Sequence, residues 1–180
     1  MISAVRRGLE LVLEWVTIFL MISLTVVVIV GVSFRIVGDS LSWYDEVAAI
    51  QLAWITYYGA ALAALKRRHI GFDTVLLLIP MPLRMVALLV AEVTVVGFFA
   101  ILAITGMQVL DVLQGEVLIS LTWVPVQFTQ SIIPIGAILF IICELLSLPE
   151  YWGLTAAGKS LEHEEIEEDV QSELEKAKAR

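Results

Sequence analysis

The sequence predicts an all-α integral membrane protein with four transmembrane helices and a short interfacial helix between the second and the third. Two observations predict this fold. First, 59% of the 180 residues are hydrophobic, which is more apolar surface than a soluble domain of this length can bury. Second, these residues form four long continuous runs, whereas a transmembrane β-barrel would show short alternating segments. In lipid a helix satisfies its own backbone hydrogen bonds, so each run is expected to be a helix.

The four runs cover residues 15–34, 47–65, 85–110 and 123–146. Each approaches or exceeds the ~20 residues needed to cross ~30 Å of hydrocarbon. The first run follows Arg6 and Arg7, as in a signal peptide, but its uncharged stretch is longer than a typical signal-peptide core and no small-residue cleavage site follows it. We therefore expect it to be retained as the first span.

The segment 71–83 has apolar residues close to helical spacing but is too short to cross a membrane. We predict a helix that lies in the cytoplasmic interface on its apolar face. Asp73 or Gly71 would cap its start, and Pro80 and Pro82 would end it. The alternative is a hydrophobic loop packed on the transmembrane helices.

Two prolines lie in the fourth run. Pro125 is expected in the first helical turn, where a missing N–H is harmless. Pro134 lies further along and is expected to kink the helix from its interior.

The orientation follows from the basic residues, which concentrate at the N-terminus and between the second and third spans, whereas the other two connections are mainly acidic. The positive-inside rule then places both termini in the cytoplasm. We predict a cytoplasmic N-terminus over residues 1–14, a transmembrane domain over residues 15–148 and an acidic cytoplasmic tail over residues 149–180. Eight acidic residues between positions 162 and 175 account for much of the net charge of −8.

Charged side chains within the spans are expensive and so are candidates for function. Glu92 is the deepest. It could carry protons or bind a cation, or it could be structural and pair with a basic group such as Arg84. Glu14 and Glu144 lie closer to the cytoplasmic interface and are expected to extend their carboxylates towards water.

The sequence carries none of the motifs of proteases, nucleotide hydrolases or dinucleotide-binding enzymes. Its two histidines lie outside the apolar runs, and one cysteine cannot form an internal disulfide. We predict no enzymatic activity, no cofactor, no metal site and no nucleic-acid partner. Membrane lipids are expected partners, and the small residues that begin at Gly59 offer a smooth face for close helix packing.

An ordered set of residues resembles the DctQ-type small membrane subunit of tripartite ATP-independent periplasmic (TRAP) transporters, over about residues 10–148. The set consists of Trp43-Tyr44-Asp45-Glu46, Trp54, Gly59-Ala60-Ala61, Arg68-His69-Ile70, Asp73, Pro82-Leu83-Arg84, Trp123-Val124-Pro125 and Ile133-Pro134-Ile135-Gly136.

The resemblance implies a multi-pass protein of the bacterial inner membrane. Its partners would be a large TRAP membrane subunit, which moves an organic anion such as a carboxylate with an ion gradient, and a periplasmic solute-binding protein. The small subunit would act as a scaffold. The alternative is a stand-alone four-helix transporter that couples ions through Glu92.

By position in the family pattern, Trp43 and Glu46 would fix the hairpin between the first two spans or face the periplasmic partner. Trp54 and Gly59 would support helix packing. A third group would form a network at the cytoplasmic turn, with Asp73 capping the interfacial helix and the basic residues meeting lipid phosphates: Arg68, His69 and Asp73.

Overall fold

The computed structural model describes residues 2–67 and 79–157, together with residue 170. Over these residues the chain is helical and contains no strand. The helices are α1 (Ile2–Val37), α2 (Tyr44–Leu65), α3 (Met81–Val112), α4 (Val126–Gln130) and α5 (Ile132–Ala157). Four stretches are long and apolar enough to cross a membrane: Val5–Val37, Tyr44–Leu65, Met81–Val112 and Val126–Ala157. The all-α, four-span prediction is confirmed.

The predicted interfacial helix falls largely on residues 68–78, which lie outside the described residues. Its two prolines, however, are placed at the start of α3. Pro80 precedes the helix in an extended conformation and Pro82 occupies its first turn. A proline fits there because the first-turn N–H groups have no partner within the helix. As a result, α3 begins at Met81, before the predicted start of the third span at residue 85.

The structure corrects the prediction of an interior kink at Pro134. The fourth span is two helices, because α4 ends at Gln130 and α5 begins at Ile132. Pro134 lacks an N–H and cannot donate to the carbonyl of Gln130, which interrupts the ladder just before it. The ladder resumes where Ile135 N–H donates to the carbonyl of Ser131 at 3.2 Å. Pro134 therefore lies in the first turn of α5.

The last helix is longer than expected. It passes residue 148, where the transmembrane domain was predicted to end, and continues through Pro149 to Ala157. Thr155 is buried, with 3% of its surface exposed. The beginning of the predicted tail is therefore part of α5 and packs on the protein.

The transmembrane helices pack in a row. The extensive contacts are those of α1 with α2, α2 with α5 and α5 with α3. The core lies along the middle of this row and consists of Leu13, Ala61, Ala64, Leu65, Phe140 and Cys143. Alanines on α2 allow the backbones to approach closely. Because α1 and α3 flank the row, each leaves large apolar side chains uncovered along its length.

Candidate functional site

A cluster of buried charges lies where α2 ends, and it centres on Arg67. This residue directly follows the C-cap of α2 and has φ = 52°. A left-handed residue commonly ends a helix, but it is usually glycine because a Cβ is disfavoured there. The turn sends the arginine side chain back against the neighbouring helices.

The guanidinium of Arg67 binds side chains on two other helices. Nη1 lies 2.5 Å from Oε1 of Glu92 on α3 and 2.8 Å from Oε1 of Glu144 on α5. Nε donates to Oγ of Ser147 at 2.8 Å, and the guanidinium carbon lies 4.7 Å from the centre of the Tyr151 ring. One side chain therefore joins α2, α3 and α5.

These groups are withdrawn from solvent. Glu92 is 8% exposed, Glu144 is 6% exposed and Ser147 is 1% exposed. The second carboxylate oxygen, Oε2, is buried without a hydrogen-bond partner in both Glu92 and Glu144. With both carboxylates ionised, two negative charges would face one positive charge, which is an expensive excess in a low-dielectric region.

The structure changes the predicted surroundings of both acidic residues. Glu92 pairs with Arg67 and not with Arg84, whose guanidinium donates to the carbonyls of Ile79 and Thr155. Glu144 does not extend towards water, because it binds the same guanidinium. The expected spans gave no signal for this pairing, because Glu92 lies seven residues from the start of the third run at residue 85, whereas Glu144 lies two residues from the end of the fourth run at residue 146.

Further ion pairs lie near the same ends of the helices as the Arg67 cluster. The ammonium group of Lys66 contacts Glu14 and lies 3.1 Å from Glu10, and Arg6 pairs with Glu150. Hydrogen bonds from Lys66 to Glu14, and then to Glu10, raise the pKa of the lysine above its usual value. These pairs are partly exposed, so each contributes less to stability than the Arg67 cluster can.

At the opposite ends of the helices, in the first turn of α2, Glu46 binds the loop between α3 and α4. Its carboxylate accepts hydrogen bonds from the N–H of Ile119 at 3.1 Å, from the N–H of Ser120 at 3.0 Å and from the Ser120 hydroxyl. The sequence placed Glu46 at the hairpin between the first two spans or against a partner. In the structure it joins the start of α2 to a different loop.

Trp43, which occupies the N-cap position of α2, and Trp54, which lies within α2, differ in their contacts. Trp43 is half-buried and immediately precedes α2, without a side-chain capping bond. The indole N–H of Trp54 donates to the carbonyl of Thr129 at 3.0 Å, and its ring lies 5.5 Å from that of Phe128. Trp54 therefore holds α4 against α2, whereas the role of Trp43 stays a prediction.

Gly59 is not at a close helix contact, because a Cβ placed there would meet no atom within 4 Å. Close approach occurs instead at Gly136 on α5, where a Cβ would lie 2.6 Å from Cδ1 of Tyr57, and at Gly106 on α3, where it would lie 3.0 Å from Cδ of Pro134. A glycine in an apolar run does not reveal from sequence alone which neighbour it faces.

Three predicted site residues, Arg68, His69 and Asp73, lie outside the described residues, so their network stays a prediction. In the part of the chain that is described, no group of three or more His, Cys, Asp or Glu side chains could hold a metal ion. A groove between α1 and α2 is lined by Trp15, Val16, Phe19, Leu20, Trp54 and Tyr58, and it offers no charged group to an anion.

Four apolar helices and a set of mutually paired charges define a multi-pass membrane protein. A family model described as "Tripartite ATP-independent periplasmic transporters, DctQ component" matches residues 24–152. The chain therefore belongs to the DctQ family and is a small component of a TRAP transporter. A search of curated proteins finds no match. The matched region includes Glu46 and all the residues of the Arg67 cluster.

Proposed function

We propose that this protein is the scaffold subunit of a TRAP transporter that imports an organic anion of the carboxylate class. It would act with a large membrane subunit and a periplasmic solute-binding protein, and it would catalyse no reaction itself. The family match over residues 24–152 is the observation that carries this proposal. The substrate, the partners and the absence of catalysis go beyond that match.

The packing of the helices supports a scaffold role. A row of helices leaves two long apolar edges, and α1 and α3 expose large side chains such as Phe19, Ile22, Val93 and Ile101. Lipid or the helices of a larger membrane protein can cover such edges. Arg67, Glu92 and Glu144 bind one another. These charged groups therefore do not line an open polar channel through the described helices.

We further propose that both termini are cytoplasmic. Arg6, Lys66 and Arg67 share one side of the row, where they pair with acidic side chains. The loop on the other side, residues 113–125, contains no lysine or arginine. This distribution supports the positive-inside assignment.

The experiment is co-expression of the tagged chain with a large TRAP membrane subunit and a periplasmic solute-binding protein from the same organism. In a mild detergent the large subunit should co-purify with the tagged chain, and liposomes should accumulate a carboxylate only when all components are present. Glu116→Gln, an exposed loop substitution, should leave both results unchanged.

The same assay tests the stand-alone transporter. The chain reconstituted alone should give no uptake. Uptake by the chain alone that is abolished by Glu92→Gln would contradict the scaffold proposal. A chain that never associates with the large subunit, while uptake proceeds without it, would also contradict the proposal.

A further inference from the structure

We propose that the Arg67 cluster is a proton-binding site, in which Glu92 and Glu144 hold one proton between them at neutral pH. The site would then contain one guanidinium, one carboxylate and one neutral carboxyl group. This inference rests on the geometry of the cluster and does not depend on the proposed transport function.

The first argument is the proximity of the two carboxylates. Both Oε1 atoms contact the same nitrogen, Nη1 of Arg67, at 2.5 and 2.8 Å. Two carboxylates that share one site repel each other when both are ionised, and a single proton removes that repulsion. The proton converts one of the groups into a hydrogen-bond donor for the other.

The second argument is the pair of unsatisfied oxygens. Oε2 of Glu92 and Oε2 of Glu144 are each buried without a partner. A buried acceptor without a hydrogen bond is costly, and a proton on either carboxyl group supplies the cluster with an additional donor. Because neither atom is accessible, a lipid headgroup or a side chain of another protein cannot reach them without opening the cluster.

The third argument concerns the neighbouring charges. Among the described residues, the titratable groups around the pair are Arg67 at the end of α2, Cys143 beside Glu144 on α5, and Tyr151, whose ring lies against the guanidinium. The thiol and the phenol are ordinarily neutral at pH 7, so they do not balance the excess negative charge. In the described residues, Arg67 is therefore the one cation within the cluster.

A proton fits the site better than a metal ion. Hard cations such as Ca²⁺ and Mg²⁺ take six or more oxygen ligands, whereas the cluster offers two oxygens without partners. A proton needs two oxygens, one as donor and one as acceptor.

Infrared spectroscopy of the full chain in lipid nanodiscs tests the proposal, because a protonated carboxyl group gives its own C=O stretching band. At pH 7 the wild-type protein should show this band, and D₂O should shift it. Glu92→Gln and Glu144→Gln should each abolish it, because the remaining carboxylate pairs with Arg67 without a proton. Glu116→Gln is the matched control and should retain it.

A wild-type spectrum without this band at pH 7, or a band that survives both glutamine substitutions, would overturn the proposal. So would a band that disappears when Na⁺ replaces K⁺, because a metal ion would then occupy the site. Thermal unfolding gives a second measure, since each single glutamine variant should unfold close to the wild-type temperature and the double variant clearly below it. Single variants that lose as much stability as the double variant would contradict the proposal, because the one remaining carboxylate should still pair with Arg67.

Discussion

Arg67 has an unusual backbone conformation, and its guanidinium is bound by side chains of two neighbouring helices. Its positive φ is disfavoured for a residue with a Cβ by roughly 1–2 kcal/mol. Bonds to Glu92, Glu144 and Ser147 offset this cost and place the charge between three helices. A glycine would suit the turn better, but it would leave both carboxylates without a cation.

Replacing Arg67 with methionine should lower the free energy of unfolding by about 3–5 kcal/mol, because it leaves an uncompensated buried carboxylate. The loss should shrink as the pH falls, since protonation of that carboxylate removes its charge. Chemical unfolding in detergent micelles at several pH values measures this difference.

Arg35→Gln is the control for Arg67→Met, because Arg35 is exposed near the far end of α1. It should change the free energy of unfolding by less than about 0.5 kcal/mol. Adding Glu92→Gln and Glu144→Gln to Arg67→Met should recover part of the lost stability. Equal losses in the Arg35 and Arg67 variants would show that the cluster contributes little.

Glu46 offers a second prediction at this scale. Glu46→Gln replaces one acceptor oxygen with a donor, so the N–H groups of Ile119 and Ser120 can no longer both be satisfied. Hydrogen exchange followed by mass spectrometry should show faster exchange over residues 117–121. Asp45→Asn, at the exposed neighbouring position, should leave the exchange unchanged. Equal exchange in wild type and Glu46→Gln would contradict the contact.

At the scale of the helices, glycine positions and the broken fourth span determine how closely the elements pack. Pro134 is fully buried and lies against Gly106 on α3. The break at Ser131 therefore occurs where a proline meets a close neighbouring helix. The sequence indicated that Pro134 would disturb a helix, but the position of the break depends on hydrogen bonds and on this packing.

Gly136→Ala should separate α2 from α5, because the new Cβ would lie 2.6 Å from the ring of Tyr57. Overpacking of this kind costs about 1–3 kcal/mol, so the melting temperature should fall. Gly97→Ala on α3 is the matched control, since its Cβ would meet nothing within 4 Å. That variant should be neutral or slightly more stable. Equal melting temperatures for both variants would argue against the close contact.

At the scale of the whole molecule, the row of helices explains how a small chain can expose so much apolar surface. In a closed bundle every helix packs against two neighbours. In this row α1 packs mainly against α2, and α3 mainly against α5. Large side chains on both edge helices remain available to lipid or to a partner. This arrangement is well suited to a subunit that enlarges another membrane protein.

Cysteine labelling tests the orientation of the row. The native Cys143 is buried, and Cys143→Ala provides a background for single cysteines. A membrane-impermeant maleimide applied to intact cells should label Glu116→Cys in the α3–α4 loop. It should label Arg7→Cys only after the membrane is opened. The reverse pattern would contradict cytoplasmic termini.

The four spans, the all-α fold and the family could be predicted without a structure, because hydrophobicity and motif order are properties of the chain read along its length. The sequence also identified Glu92 as the deepest charge. The packing of the helices was needed to show that Arg67 pairs with Glu92, that Glu46 holds the α3–α4 loop and that Gly136 faces Tyr57. These pairings depend on which helices are neighbours and on how each is rotated about its axis. Helices that are apolar on nearly every face carry little sequence signal for either.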